Sequence, residues 1–321
     1  MNTKLRKKYC GAVDVGGTKI SSALFTSDGQ ISHREKITID KSKPENSVRQ
    51  VIEIIKGLEG SARSENGTIL SVGIVIPGIV FQQRKTVWAP NIPGWEHFPL
   101  QKMIQEETRL PLVFDSDRSA YVLGEQWCGI ARDMKDVVFL AVGTGIGAGI
   151  IVDGRLCRGS EDIAGAVGWF ALDPQFKREY SLMGCFEAEA SGNSVARKAI
   201  QHLKSGESSI LNKVRGNIEQ ITAQDVFEAA QKKDPLSEKI IRATIEYLGM
   251  GIANIVSILN PQIVVLGGGL FQSARRLLNP VRKEVEKWAQ PLSAQKVRIE
   301  LTHLGEDAGL YGAGKLAWES G

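Results

Sequence analysis

Val13-Asp14-Val15-Gly16-Gly17-Thr18-Lys19 carries an apolar run, ended by an acid, straight into two glycines, a hydroxyl and a cation. Paired glycines let backbone N–H groups converge on an anion with no Cβ in the way, so the stretch reads as a turn that grips phosphate oxygens. Asp14, at the end of a strand, is placed to hold the waters of a magnesium ion that neutralises the same phosphates. Two glycines between strands also make a plain hairpin, and this copy by itself leaves both readings open.

A second copy favours the phosphate reading. Val142-Gly143-Thr144-Gly145-Ile146-Gly147-Ala148-Gly149 follows another apolar run, Val137 to Ala141, and leads into a strand from Gly149 to Val152. Each copy then turns at an Asp-Gly pair, Asp28-Gly29 and Asp153-Gly154, before a further short strand. Strand, glycine loop, strand, turn and strand thus occur twice, which predicts an α/β chain with two related half-domains facing one nucleotide.

With Gly267-Gly268-Gly269, the two loops resemble the phosphate and adenosine loops of the actin-like ATPase superfamily. Within it the chain is similar, over nearly its whole length, to the ROK proteins, a group of bacterial sugar kinases and sugar-responsive repressors. The resemblance implies a two-lobed, ribonuclease H-like fold with an active-site cleft between the lobes. Residues 1–117, completed by a C-terminal helix within 304–321, are expected to form a small lobe, and residues 118–303 a large one. The resemblance also implies ATP and Mg2+ as cofactors and a homodimer. Asp14, Gly16, Gly17, Thr18 and Lys19 would serve the phosphates together with Thr144, Gly145 and Gly147, while Gly267, Gly268 and Gly269 would border the adenosine.

Composition agrees with a cytoplasmic enzyme. A chain of 321 residues, 42% hydrophobic and 24% charged, can bury substantial cores in two lobes. The net charge is only +4, partly from the local run Lys4, Arg6, Lys7, Lys8. Nucleic-acid binding would want a basic face and a reading module, and neither is found. Many ROK repressors carry a helix-turn-helix ahead of the Asp14-type loop, whereas only a dozen or so residues precede it here, so DNA binding is not expected. Cys10, Cys128, Cys157 and Cys185 lack CxxC spacing and read as reduced thiols. The longest apolar run, Val72 to Phe81, is far short of the roughly 20 residues that cross a bilayer, so no membrane role follows.

The acceptor side is read from four segments. Ile69 to Ile76 is a buried strand ending at Pro77-Gly78, and strand ends in open α/β sheets are where ligands collect. Trp88-Ala89-Pro90-Asn91-Ile92-Pro93-Gly94-Trp95 is a rigid loop whose prolines leave few hydrogen bonds inside it. Asn91 is either a turn residue or an amide for sugar hydroxyls, and the loop's likeness to the NxPGW sugar loop of ROK kinases points to the second. Asp117, at a strand-to-helix junction, would by itself read as a helix cap. Counting back from Gly124-Glu125, it falls on the aspartate of the ROK segment NDANAAALGE, which implies the general base, with Ser116 in place of the asparagine. A sugar hydroxyl is a poor nucleophile until a carboxylate can take its proton.

Further on the chain departs from the ROK pattern. Ala166 and Trp169 fall where the glutamate and histidine of Glu-x-Gly-His are usual, and the zinc motif CxCGxxGC would fall on Arg178 to Cys185, where only Gly184 and Cys185 remain. No structural zinc is expected. Glu187 matches the acid of the GCLE segment and is a sugar-ligand candidate, the plain alternative being an exposed helix carboxylate. Trp169 either stacks on a sugar face or fills the volume of the missing imidazole.

For the remaining elements, Pro44 opens a helix with an apolar stripe from Val48 to Leu58, followed by a polar turn from Gly60 to Gly67. Leu100 to Leu110 reads as helical, Thr222 to Asp225 as a capping box, and Pro235 as the start of a long helix stopped by Pro261. Gly249 and Gly251 within it allow either close packing or a bend. The expected activity is ATP-dependent phosphorylation of a hexose or hexose derivative at O6. The alternative is a catalytically weak or inactive sugar-binding regulator, suggested by Ala166 and Trp169.

Overall fold

The computed structural model describes residues 6–321, so Lys4 of the basic run lies outside the described residues. In chain order it begins with β1 (Lys7–Val15), β2 (Lys19–Phe25), β3 (Ile31–Thr38), α1 (Pro44–Ser64) and β4 (Gly67–Ile76). Next come β5 (Ile79–Phe81), β6 (Thr86–Trp88), α2 (Leu100–Gln105), β7 (Leu112–Ser116) and α3 (Asp117–Trp127). The second series is β8 (Val137–Val142), β9 (Ile146–Val152), β10 (Arg155–Leu156), α4 (Tyr180–Met183), α5 (Cys185–Ala190) and α6 (Gly192–Lys204). It continues with α7 (Ala223–Gln231), α8 (Pro235–Leu259), β11 (Ile263–Gly267), α9 (Gly269–Ser273), α10 (Leu278–Trp288), α11 (Pro291–Lys296), β12 (Arg298–Leu301) and α12 (Ala308–Ser320).

The repeated sequence pattern becomes a repeated sheet. One five-stranded sheet has the order β3-β2-β1-β4-β7 and the other β10-β9-β8-β11-β12. In each, the first strand pairs antiparallel with the second and parallel with the fourth, and the fourth pairs parallel with the fifth. Val15 faces Ile20 at the last rung before the first glycine turn, and Val142 faces Ile146 at the same place in the second sheet. This is the mixed α/β, duplicated arrangement expected of an actin-like fold.

The chain forms two compact units. The first takes residues up to Asp133 with Leu156–Ala164 and Glu306–Gly321, and the second takes Met134–Arg155 and Gly165–Gly305. In the first, α1 buries Val48, Val51, Ile55 and Leu58 against Val13, Leu24, Ile74 and Ile76 of the sheet. The small residues of α12 let it lie against both strand and helix backbone. A Cβ at Gly73 would be 2.0 Å from the Ala313 carbonyl oxygen, and one at Gly312 would be 1.9 Å from that of Ala120 in α3.

In the second unit the long α8 packs Leu248, Ile252, Ile255 and Val256 into a core with Val138, Leu140, Phe186, Val264 and Val281. Asp234 caps α8 by accepting from the Ser237 amide, Pro235 starts it, and Asn260 ends it in a left-handed conformation before Pro261. Gly249 and Gly251 serve close packing, because a Cβ at either would strike Glu284 or Phe186. The Thr222–Asp225 capping box is present.

Three boundaries differ from the sequence reading. Helix α1 runs through Gly60 to Ser64, because Ala62 continues the buried stripe while the glycine stands on the outer side. Helix α2 stops at Gln105, whose side-chain amide donates to the Thr108 and Leu110 carbonyls and rounds the chain off before β7. Strand β9 begins at Ile146, inside the glycine-rich stretch. Among the described residues no helix is long and apolar enough to cross a membrane.

Candidate active site

The Gly16 amide donates to the Lys19 carbonyl at 2.8 Å, closing the first glycine turn over Gly17 and Thr18. Asn91 belongs to the same neighbourhood, since a Cβ on Gly17 would lie 3.6 Å from the Asn91 Cβ. The Lys19 ammonium is paired 2.7 Å from Glu306, at an exposed position.

Asn91 is exposed at the tip of a loop that closes on itself, contrary to the expectation from its prolines. The Ala89 amide donates to Trp95, that of Ile92 to Ala89, and that of Trp95 to Ile92. Pro90 and Pro93 stand at positions whose N–H these bonds do not need. Ile92 and Trp95 are buried and anchor the loop, with the Trp95 ring stacked on Phe98. Gly78, just past β4, faces the Trp88 carbonyl so closely that a Cβ there would be 2.1 Å from it.

At the start of α3 the cap is Ser116, whose hydroxyl accepts from the Ser119 amide. The capping role read as the plain alternative for Asp117 therefore belongs to its neighbour. Asp117 Oδ1 accepts from the Arg118 amide at 2.8 Å, and Oδ2 accepts from the Tyr121 hydroxyl at 3.3 Å. One residue earlier, Asp115 takes two bonds from the Arg158 guanidinium and one from the Ser116 amide, which pins the end of β7. Sequence reasoning did not single out Arg158 or Tyr121.

Asp14 is the next-to-last residue of β1 on this same unit, with its Oδ2 so close to α12 that a Cβ at Gly309 would be 2.6 Å away. Burial, then the charge of Asp117, push its carboxyl up to about 7 against the pull of Lys19. Burial also pushes Asp117 up to about 6, partly offset by Arg118 and Tyr121. A recessed carboxylate whose affinity for protons is raised by the negative charge of a second one marks a place that favours a cation, so the donor set fits a hydrated magnesium ion.

The sign of the stability effect follows. A carboxylate raised from an ordinary 3.8 to about 7 disfavours folding fully above pH 7 and not at all below pH 3.8. Asp14→Asn is therefore expected to raise the melting temperature in magnesium-free buffer at pH 8 by on the order of 5 °C, an advantage that disappears near pH 3.5. Calorimetry at the two pH values checks this.

In the second unit the loop around Thr144 is held from two sides. The Gly192 amide donates to the Gly143 carbonyl at 2.8 Å, and the Ile146 amide donates to Glu187 Oε2 at 2.7 Å. Glu187 packs against Gly145, where a Cβ would meet its carboxylate at 2.6 Å, and burial raises its carboxyl. The acid expected to contact sugar thus has the backbone of the glycine loop as its partner. Gly147 continues into β9.

Gly267, Gly268 and Gly269 lie beside this loop. Gly268 has φ +89°, and a Cβ there would be 2.5 Å from the Val142 carbonyl, so only glycine suits the position. Helix α9 starts at Gly269, and beside its far end, at Ser273, is a cavity of about 430 Å³ lined also by Gln224, Phe227, Glu228, Gln231 and Lys232. None of those lining residues was read from the sequence as part of a site.

Trp169 ends a short 3₁₀ turn (Val167–Trp169) and is 57% exposed, with Ala166 at its cap. Tyr180, in the segment where the zinc motif would fall, donates to the buried Glu189, which also accepts from Lys177 and Lys198. Among the described residues no group of three or more His, Cys, Asp or Glu is arranged to hold a metal ion.

In sequence and fold the chain is similar to known proteins. A model of the ROK family matches residues 10–320. The chain is 33% identical to a glucokinase of Halalkalibacterium halodurans, over 96% of this chain and 94% of that protein. It is 30% identical to a xylose repressor of Caldicellulosiruptor bescii, over 94% of this chain and 75% of the repressor. A ROK family glucokinase from Streptomyces griseus, solved in complex with glucose and AMPPNP, superposes with a TM-score of 0.74 at 29% identity, over 97% of this chain and 99% of that one.

Proposed function

The chain belongs to the ROK family, and we propose that this sugar kinase transfers the γ-phosphoryl group of ATP to the O6 hydroxyl of a hexose, with Asp117 as general base. The observation that carries the reading is the pair Asp14 and Asp117, recessed in one unit and both shifted toward neutrality. A base poised near the working pH can take the hydroxyl proton as the phosphoryl group arrives. Arg158 holds Asp115 and through it the strand end that presents Asp117.

The turn Gly16 to Thr18 and the loop Thr144 to Gly147 are assigned to phosphate oxygens, and the cavity beyond α9 to the purine base. Its glutamine amides and Glu228 offer both donors and acceptors to a ring edge. Asp14 would hold a hydrated magnesium ion, which supplies charge neutralisation for the transferring group. Gly78, Asn91, Ser116 and Trp169 are assigned to the sugar side. The four unpaired cysteines support a cytoplasmic setting, and the homodimer implied by the family is part of the reading.

The test is ATP consumption over D-glucose, D-mannose, D-fructose and N-acetyl-D-mannosamine, compared with Asp117→Ala. At least one sugar is expected to drive turnover that the variant lacks. A second reading, a sugar-binding regulator, is favoured by the repressor relative and by Ala166 and Trp169. It replaces the first if a sugar raises the melting temperature while none drives turnover.

A further inference from the structure

Tyr121 stands one helical turn beyond Asp117 on α3. With Asp117 set on the aspartate of the ROK segment NDANAAALGE, position 121 falls on an alanine of that pattern. This chain therefore places a large polar ring where the pattern has a methyl group.

The ring lies near two acids. Its hydroxyl donates to Asp117 Oδ2 at 3.3 Å, while Oδ1 of the same carboxylate is occupied by the Arg118 amide. A single Cβ placed on Gly309 would meet both Asp14 Oδ2, at 2.6 Å, and Tyr121 Cε1, at 3.2 Å. The close approach of α12 to α3 at Ala120 and Gly124 leaves the helix carrying the ring no room to shift.

We propose that Tyr121 is a positioning residue for phosphoryl transfer, its hydroxyl holding Asp117 Oδ2. The proposal rests on Asp117 being the base. Held at both oxygens, the carboxylate presents one fixed direction to the acceptor alcohol instead of turning toward the cation side of the pocket. The negative charge of Asp117, with burial, pushes the phenol well above its ordinary range, so it remains a donor wherever the carboxylate is ionised. A separation of 3.3 Å is long for an O–H···O bond, and such contacts tighten when a site is loaded.

A double-mutant cycle separates this role from a structural one. It uses MgATP and whichever of the four panel sugars the unmodified protein turns over fastest. Tyr121→Phe is expected to lower kcat roughly tenfold, with both KM values within about twofold and the melting temperature unchanged. In an Asp117→Asn background the same change is expected to have no further effect on kcat, because no base remains to be oriented. An unchanged kcat in Tyr121→Phe, an equal loss in both backgrounds, or a rise in KM alone overturns the proposal. If Asp117→Asn itself keeps full kcat, the base assignment fails, a result distinguishable from failure of the tyrosine's role. If no panel sugar is turned over, the kinase reading fails.

Discussion

Asp117→Asn is expected to lower kcat by roughly 100- to 10,000-fold while leaving KM for ATP nearly unchanged. The asparagine keeps an oxygen for the Arg118 amide, so the first turn of α3 stays formed with its Ser116 cap. What it loses is the capacity to take a proton. As the proposed base, the same carboxylate is expected to set the acid limb of the unmodified protein. The base works ionised, and burial raises it from an ordinary 3.8 to about 6, so kcat/KM should fall about tenfold per pH unit below that point. Because Asp14 titrates beside it, the limb belongs to the pair rather than to either residue alone. A pH–rate profile that stays flat down to pH 4.5 would contradict this.

Gly312→Val is expected to have the largest effect on stability. Its Cβ would lie 1.9 Å from the Ala120 carbonyl oxygen and 2.4 Å from its carbon, and helix backbone cannot yield as a side-chain tip can. Forcing α12 away from α3 should cost about 3 kcal/mol, near the upper end of overpacking penalties, or on the order of 10 °C in melting temperature. Activity should fall in the folded fraction too, because Ala120 lies between Asp117 and Tyr121 on α3. Gly57→Ala is the control: nothing lies within 4 Å of a Cβ there, and losing a glycine from inside α1 should stabilise by about 0.5–1 kcal/mol. Thermal denaturation of the two variants side by side checks both signs.

The duplicated sheet was legible because its signals are local. A glycine turn between two apolar strands, followed by an Asp-Gly turn, needs only about twenty consecutive residues to be recognised. Errors arose where glycine was read as a terminator. Gly60 lies inside α1, and β9 already runs at Gly147, because tertiary burial overrides the intrinsic cost of glycine in a helix or strand. At the site, Asp14 could be named from the glycine turn it precedes and Asp117 from the likeness to the ROK segment, but the effect of Asp117 on Asp14 comes from a sheet in which β1 and β7 are separated by β4. Tyr121 carries no motif of its own, and its bond to Asp117 becomes visible only in the folded helix. Arg158 is far from Asp115 in sequence, and the cavity lining joins Gln224 to Ser273, so neither carries a short-range signature.

The first sheet and its final helix are far apart in synthesis. Gly73 and Gly124 are made early, yet the backbone that packs onto them, from Ala308 to Ala313, must wait until residues beyond 306 have left the ribosome. Until then that side of the nascent sheet faces solvent, a natural client surface for a holding chaperone. The residues from Met134 to Gly305, apart from a short excursion, form the other unit and can close first. Translation thus leaves the part carrying Asp14 and Asp117 to mature last, and a chain cut short just before position 306 would carry one finished half and one unsealed half.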